Sequence, residues 1–124
     1  MAVLHRPPRP THDLGGTRFT SLATPTRGSS ETAIWSVEIL PGTPPTPHFL
    51  TRQEVFVILE GQATARIGDI TDDAAPGDAI VVPADVEFEL SNAGAEPLRM
   101  LCCLPVGGKG RIGNGEAFVP PWAE

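Results

Sequence analysis

The sequence predicts an all-β domain, one antiparallel barrel or sandwich, and three observations carry that reading. Prolines and glycines, 14 and 13 among 124 residues, interrupt almost every window long enough to hold a helix. Runs rich in β-branched and aromatic residues recur at near-regular spacing, with turn chemistry between them. The apolar share of 40% arrives in clusters, enough for one core and too organised for a disordered chain.

Taken in order, Arg18 to Ala23 is a short strand candidate and Thr32 to Leu40 a stronger one, with Ile34, Trp35, Val37, Ile39 and Leu40 apolar. Glu54 to Leu59 is dense in Val, Ile and Phe. Glu60-Gly61 reads as a hairpin turn into Gln62 to Ile67, and Gly68-Asp69 as another turn. Asp78 to Val82 stops at Pro83. Val86 to Leu90 alternates, with Val86, Phe88 and Leu90 on one face and Glu87 and Glu89 on the other. A turn-rich stretch from Asn92 to Pro97 leads to the last strong strand, Leu98 to Val106. The expected organisation is an extended Pro-rich arm over 1–17, a barrel over 18–106, and a tail over 107–124 that Trp122 is placed to pin. Strands of this kind close into jelly rolls or barrels, which solve the problem of open edges.

Composition narrows the partners. A net charge of -6 with no basic stripe argues against nucleic acid. No run of about 18 apolar residues occurs, so no membrane partner is expected. The N-terminal His5-Arg6-Pro7-Pro8-Arg9-Pro10 lacks the apolar stretch of a secretory signal. The adjacent Cys102 and Cys103 point to opposite faces of a strand and do not bridge each other. Free thiols fit a reducing cytoplasm, and both residues read as small apolar side chains. An open sheet leaves edges that a twofold partner covers, so a homodimer is expected.

Two motifs carry the chemistry. Gly42, His48, Leu50, Glu54 and Gly61 are followed by Gly77, Pro83, Asp85, Phe88 and Asn92. In order and spacing this resembles the paired motifs of the cupin superfamily, which read Gly-His-His-Glu-Gly and Gly-Pro-Gly-His-Asn. The resemblance implies a double-stranded antiparallel β-helix, or jelly-roll barrel, and a homodimer. It also implies an inward cluster of three His and one Glu around a divalent metal, a donor set suited to iron, manganese, nickel or zinc. Here Leu50 and Phe88 stand at two of the His positions, and Asp85 stands at a Gly. Only His48 and Glu54 carry over as metal ligands, fewer than the three that open catalytic sites use.

The expectation is a cupin barrel that binds a small organic molecule. Leu50, Phe56, Phe88 and Leu90 line its apolar cavity, and His48 and Glu54 are the polar anchors of a degenerate metal site. The cofactor is then none, or a single divalent transition metal. Two alternatives use the same pair. One is a metal-dependent cyclase or dioxygenase of secondary metabolism. The other is a metal-free isomerase or epimerase with His48 and Glu54 as acid and base. The plain alternative is a buried pair that satisfies itself by hydrogen bonding. Three other signals are set aside. Gly108 to Gly113 fits a dinucleotide-loop pattern but precedes no helix, and it reads as a flexible loop. Asp69, Asp72 and Asp73 fit no calcium loop and read as a solvated turn. His5 and His12 lie in the arm.

Overall fold

A computed structural model describes residues 2–124. The strands are β1 (His12–Leu14), β2 (Thr17–Ala23), β3 (Thr32–Ile39), β4 (Phe49–Leu50), β5 (Glu54–Glu60), β6 (Ala63–Ile67), β7 (Ile70–Ala74), β8 (Ala79–Val82), β9 (Phe88–Asn92), β10 (Leu98–Pro105) and β11 (Gly110–Arg111). The only helical elements among the described residues are 3-10 turns at Pro25–Arg27 and Pro121–Ala123. All strand pairs are antiparallel. The six-stranded sheet runs β1-β2-β3-β10-β5-β8. Facing it are β7-β6-β9 and β4-β11, joined by a bridge in which His48 and Phe88 exchange both backbone hydrogen bonds. This is the jelly-roll architecture that the strand spacing predicts.

The core lies between the layers, because each long strand alternates. Ala33, Trp35, Val37 and Ile39 of β3 are buried, as are Leu98, Met100, Cys102 and Leu104 of β10. Cys102 stands between Trp35 and Phe56 in register, so one level of the wall reads indole, thiol, phenyl. On β9 the alternation also holds. Phe88 is buried, while Glu87 and Glu89 hold Arg66 at 3.1 and 3.2 Å outside.

Several local readings change. Glu60-Gly61 is no hairpin turn, since β5 pairs with β8 and β10 while β6 pairs with β7 and β9. The chain crosses between the layers there. Gly68-Asp69 is the true hairpin, with Ile67 opposite Ile70. Asp72 and Asp73 belong to the exposed edge strand β7, not to a turn, and their charge suits an edge that must not pair further. Within the arm, the extended His12–Leu14 pairs with β2. The loop discounted as flexible contains β11, whose Gly110 pairs with Leu50 on one side and Phe118 on the other. These short pairings come from tertiary contact, which local propensity does not encode.

Gly61 makes the crossing possible. Its φ is +87°, and a Cβ there would lie 2.8 Å from the carbonyl oxygen of Pro97. Gly61→Ala is therefore expected to lose about 2–4 kcal/mol, from left-handed backbone strain plus a clash with main chain. Urea denaturation checks this, and a loss below about 0.5 kcal/mol would show that the crossing relaxes freely.

Candidate functional site: an apolar cavity with unpaired polar groups

Between the layers lies a cavity of about 660 Å³. The six residues marked in the sequence, His48, Leu50, Glu54, Phe56, Phe88 and Leu90, all line it. Three elements bring them together. β4 turns Leu50 inward at 3% exposure, and β5 does the same for Glu54 and Phe56. β9 supplies Phe88 and the half-buried Leu90. Phe88 is 5.9 Å from Phe56 between ring centroids, and 4.3 Å from His48.

His48 follows Pro47 in an extended segment and donates its Nδ1–H to the carbonyl oxygen of Thr46 at 2.8 Å. That bond fixes the neutral tautomer and leaves the Nε2 lone pair free. Burial holds the His48 pKa below its ordinary value, partly opposed by the Thr46 bond.

Glu54 is 4% exposed. Burial pushes its pKa up to about 8, so the carboxyl keeps its proton at neutral pH. Among the described residues it makes no ion pair and no side-chain hydrogen bond, with His48 or any other group. The self-satisfied pair therefore does not form. Two uncharged polar groups face one apolar space separately.

Cys102 also lines the cavity, its thiol pushed well above the ordinary range by burial and then by the nearby Glu54 charge. Cys103 turns to the outer side, and both cysteines are free. Gln53 is exposed and lines a separate outer groove. Asp85 is exposed and adopts φ 61° itself, so the turn before β9 survives without glycine. Asp tolerates this region better than most residues, and the Asp85 N–H bonds the Leu50 carbonyl at 2.8 Å.

The residues present do not fit a divalent metal. Among the described residues no three His, Cys, Asp or Glu side chains converge. Two positions that would supply imidazoles hold Leu50 and Phe88, at 3% and 1% exposure.

Several lining residues escaped the sequence reading. Trp35 and Met100 were legible only as inward positions on their strands. Phe19 and Trp122 stack at 3.6 Å, 7° from parallel, and close one side. The tail is tied there by Ser21 Oγ donating to the Trp122 carbonyl at 2.8 Å. Arg111 also lines the cavity, its guanidinium 4.2 Å over the Phe49 ring. No local signal links Phe19 to Trp122, which lie near opposite ends of the chain.

Comparison with known proteins agrees with the fold. A family model described as Cupin domain matches residues 35–104. An uncharacterized protein of Methanocaldococcus jannaschii is 32% identical over 53 residues, 43% of this chain and 42% of that relative. The match thus spans about two fifths of the relative's length. Among solved structures, the polyketide cyclase RemF from Streptomyces resistomycificus aligns with a TM-score of 0.72 at 20% identity, over 91% of this chain and 82% of that one. A cupin superfamily protein from Desulfitobacterium hafniense gives 0.63 at 19%, over 77% and 82%. Bacillus subtilis oxalate decarboxylase gives 0.69 at 20%, over 79% of this chain and 28% of that one. At these identities the likeness concerns the fold.

Proposed function

The chain belongs to the cupin family, and from that premise we propose that its barrel binds a small organic molecule in the cavity. One observation carries the reading. An interior space of about 660 Å³ is walled by Leu, Phe, Trp and Met, and it holds a carboxyl and an imidazole nitrogen that no protein group satisfies. Mostly apolar pockets with a few converging polar groups are built for organic ligands. The test uses the protein's own reporters, since Trp35 and Trp122, its two tryptophans, both line the cavity. A small aromatic probe should change their fluorescence saturably, with a dissociation constant on the order of micromolar. Leu90→Trp, which pushes an indole into the cavity, should weaken binding at least about tenfold while the protein still melts cooperatively. Equal binding by that variant would place the probe elsewhere.

A second reading rests on Glu54 alone. A carboxyl that exchanges its proton near neutral pH is suited to general acid–base work without metal. Turnover by this route survives chelator and is lost in Glu54→Gln. The metal-dependent reading has less support, because the chain supplies two of the donors that such sites draw on and packs hydrocarbon at the others.

A further inference from the structure

Three polar groups reach the cavity from three elements without a protein partner. Glu54 projects from β5 and His48 presents Nε2 from the segment before β4. The third is Trp35 of β3, 2% exposed, whose indole N–H meets no protein acceptor among the described residues. Every fully sealed side-chain nitrogen or oxygen among those residues has a partner, so these three stay open because they front the cavity space. A polar group that fronts an apolar cavity is open to a ligand that pairs it, and three such groups front this one.

Their roles differ. The Trp35 N–H is a donor only. His48 Nε2 is an acceptor, because Nδ1–H is committed to Thr46. Trp35 and Glu54 lie on the six-stranded wall, while His48 belongs to the facing layer through its bridge to Phe88. Donor and acceptor thus belong to facing walls and address different parts of one ligand. The rings of Phe56 and Phe88, 5.9 Å apart, and the Phe19–Trp122 stack offer aromatic faces between. Arg111 is the one cation among the lining residues, and its guanidinium is already held by the Phe49 ring and the Gly113 carbonyl, so an anion would have to compete for it. An ammonium group would meet the positive edge of the Trp35 N–H and no carboxylate charge, since buried Glu54 keeps its proton at neutral pH.

We infer, resting on the reading that the cavity takes an organic molecule, that its ligand is an uncharged aromatic compound with a hydroxyl at one end and a carbonyl oxygen at the other. The hydroxyl donates to His48 Nε2. The carbonyl accepts from the Trp35 N–H on the wall that also carries Glu54.

Calorimetric titration at neutral pH with four naphthalene probes tests this: naphthalene, 6-acetyl-2-naphthol, 2-naphthoate and 2-naphthylmethylammonium. The acetylnaphthol should bind at least about tenfold more tightly than naphthalene, as one to two net hydrogen bonds allow, and the two ions more weakly than naphthalene. Trp35→Phe removes the N–H and keeps an aromatic ring. It should cut acetylnaphthol affinity about three- to tenfold and leave naphthalene unchanged. A variant that melts like the parent protein validates that comparison. Should Trp35→Phe fail to fold, the four probes on the unaltered protein decide. If an ion binds tightest, or naphthalene matches the acetylnaphthol, the ligand class is overturned while the cavity reading stands. If none of the four binds, the cavity reading itself fails.

Discussion

Glu54→Gln should become progressively more stable than the parent protein as the pH rises from about 5 to about 8. The folded protein holds the Glu54 proton up to a pKa of about 8, because burial disfavours the charge. The unfolded chain releases it near the ordinary glutamate value, about 4.3. The stabilising contribution of the protonated carboxyl is therefore complete below that value. It is lost as the pH rises through the folded pKa, where folding must take up a proton that solvent no longer offers. At about 1.4 kcal/mol per pH unit, over a span of about 3.5 units, the loss is on the order of 5 kcal/mol. Domains of this size hold roughly 5–15 kcal/mol in all, so the parent protein should weaken markedly in mild alkali. His48 acts in the other direction. Its folded pKa is depressed, so its contribution is present above the ordinary histidine range and falls away as acid protonates it. The Cys102 and Cys103 thiols, both pushed up by burial and then by Glu54, ionise only at higher pH. The variant retains His48 and both thiols, so the difference between the two proteins reports on Glu54. Urea denaturation across about pH 5 to pH 9 reads it, and a difference flat to within about 0.5 kcal/mol would show that the carboxyl is solvated or paired in the fold.

That carboxyl also shows where sequence reasoning succeeds and where it stops. Val55, Val57 and their neighbours declare β5, and the two-residue period then places Glu54, Phe56 and Ile58 inward together. The strongest strands, β3, β5, β6, β8, β9 and β10, were legible because each buries one side of an alternating run. β4 and β11 are two residues each and exist only because Leu50 and Gly110 are brought side by side. β7 hid behind Asp72 and Asp73, which read as solvent and are solvent, on an edge. The motif spacing marked His48, Leu50, Glu54 and Phe88, the strand period added Phe56 and Leu90, and all six line the cavity. It did not reveal that His48 turns to Thr46 instead of Glu54, or that the Trp35 N–H is unpaired. Hydrogen-bond partners depend on side-chain direction within a closed barrel, and spacing along a strand fixes only the face.

The largest gain expected from substitution is a metal site. Leu50 and Phe88 point into the same cavity as His48 and Glu54, and Phe88 is locked to His48 by two backbone hydrogen bonds of 2.9 and 3.0 Å. Their rings already lie 4.3 Å apart. Zinc–nitrogen bonds are about 2.0–2.1 Å, so two nitrogens on one ion sit about 3–4 Å apart, within reach of small rotamer changes. The double variant Leu50→His, Phe88→His would place three imidazoles and one carboxyl around a single space, and a bound cation would draw the Glu54 proton off. The apo variant should be less stable by several kcal/mol, since two fully buried apolar side chains are exchanged for polar ones. Zinc at about 100 times its dissociation constant would return about 2.7 kcal/mol, provided the ion binds only the folded state. The expected result is about one equivalent of zinc bound to the variant and a melting temperature that rises with added zinc. The parent protein, purified without added metal, should carry well under one equivalent. A variant that folds by circular dichroism yet binds no zinc would mean that the side chains at 50 and 88 no longer converge with His48 and Glu54. Stoichiometric metal in the parent protein would mean that two donors and a small molecule or water suffice, and it would put the metal-dependent reading ahead of the others.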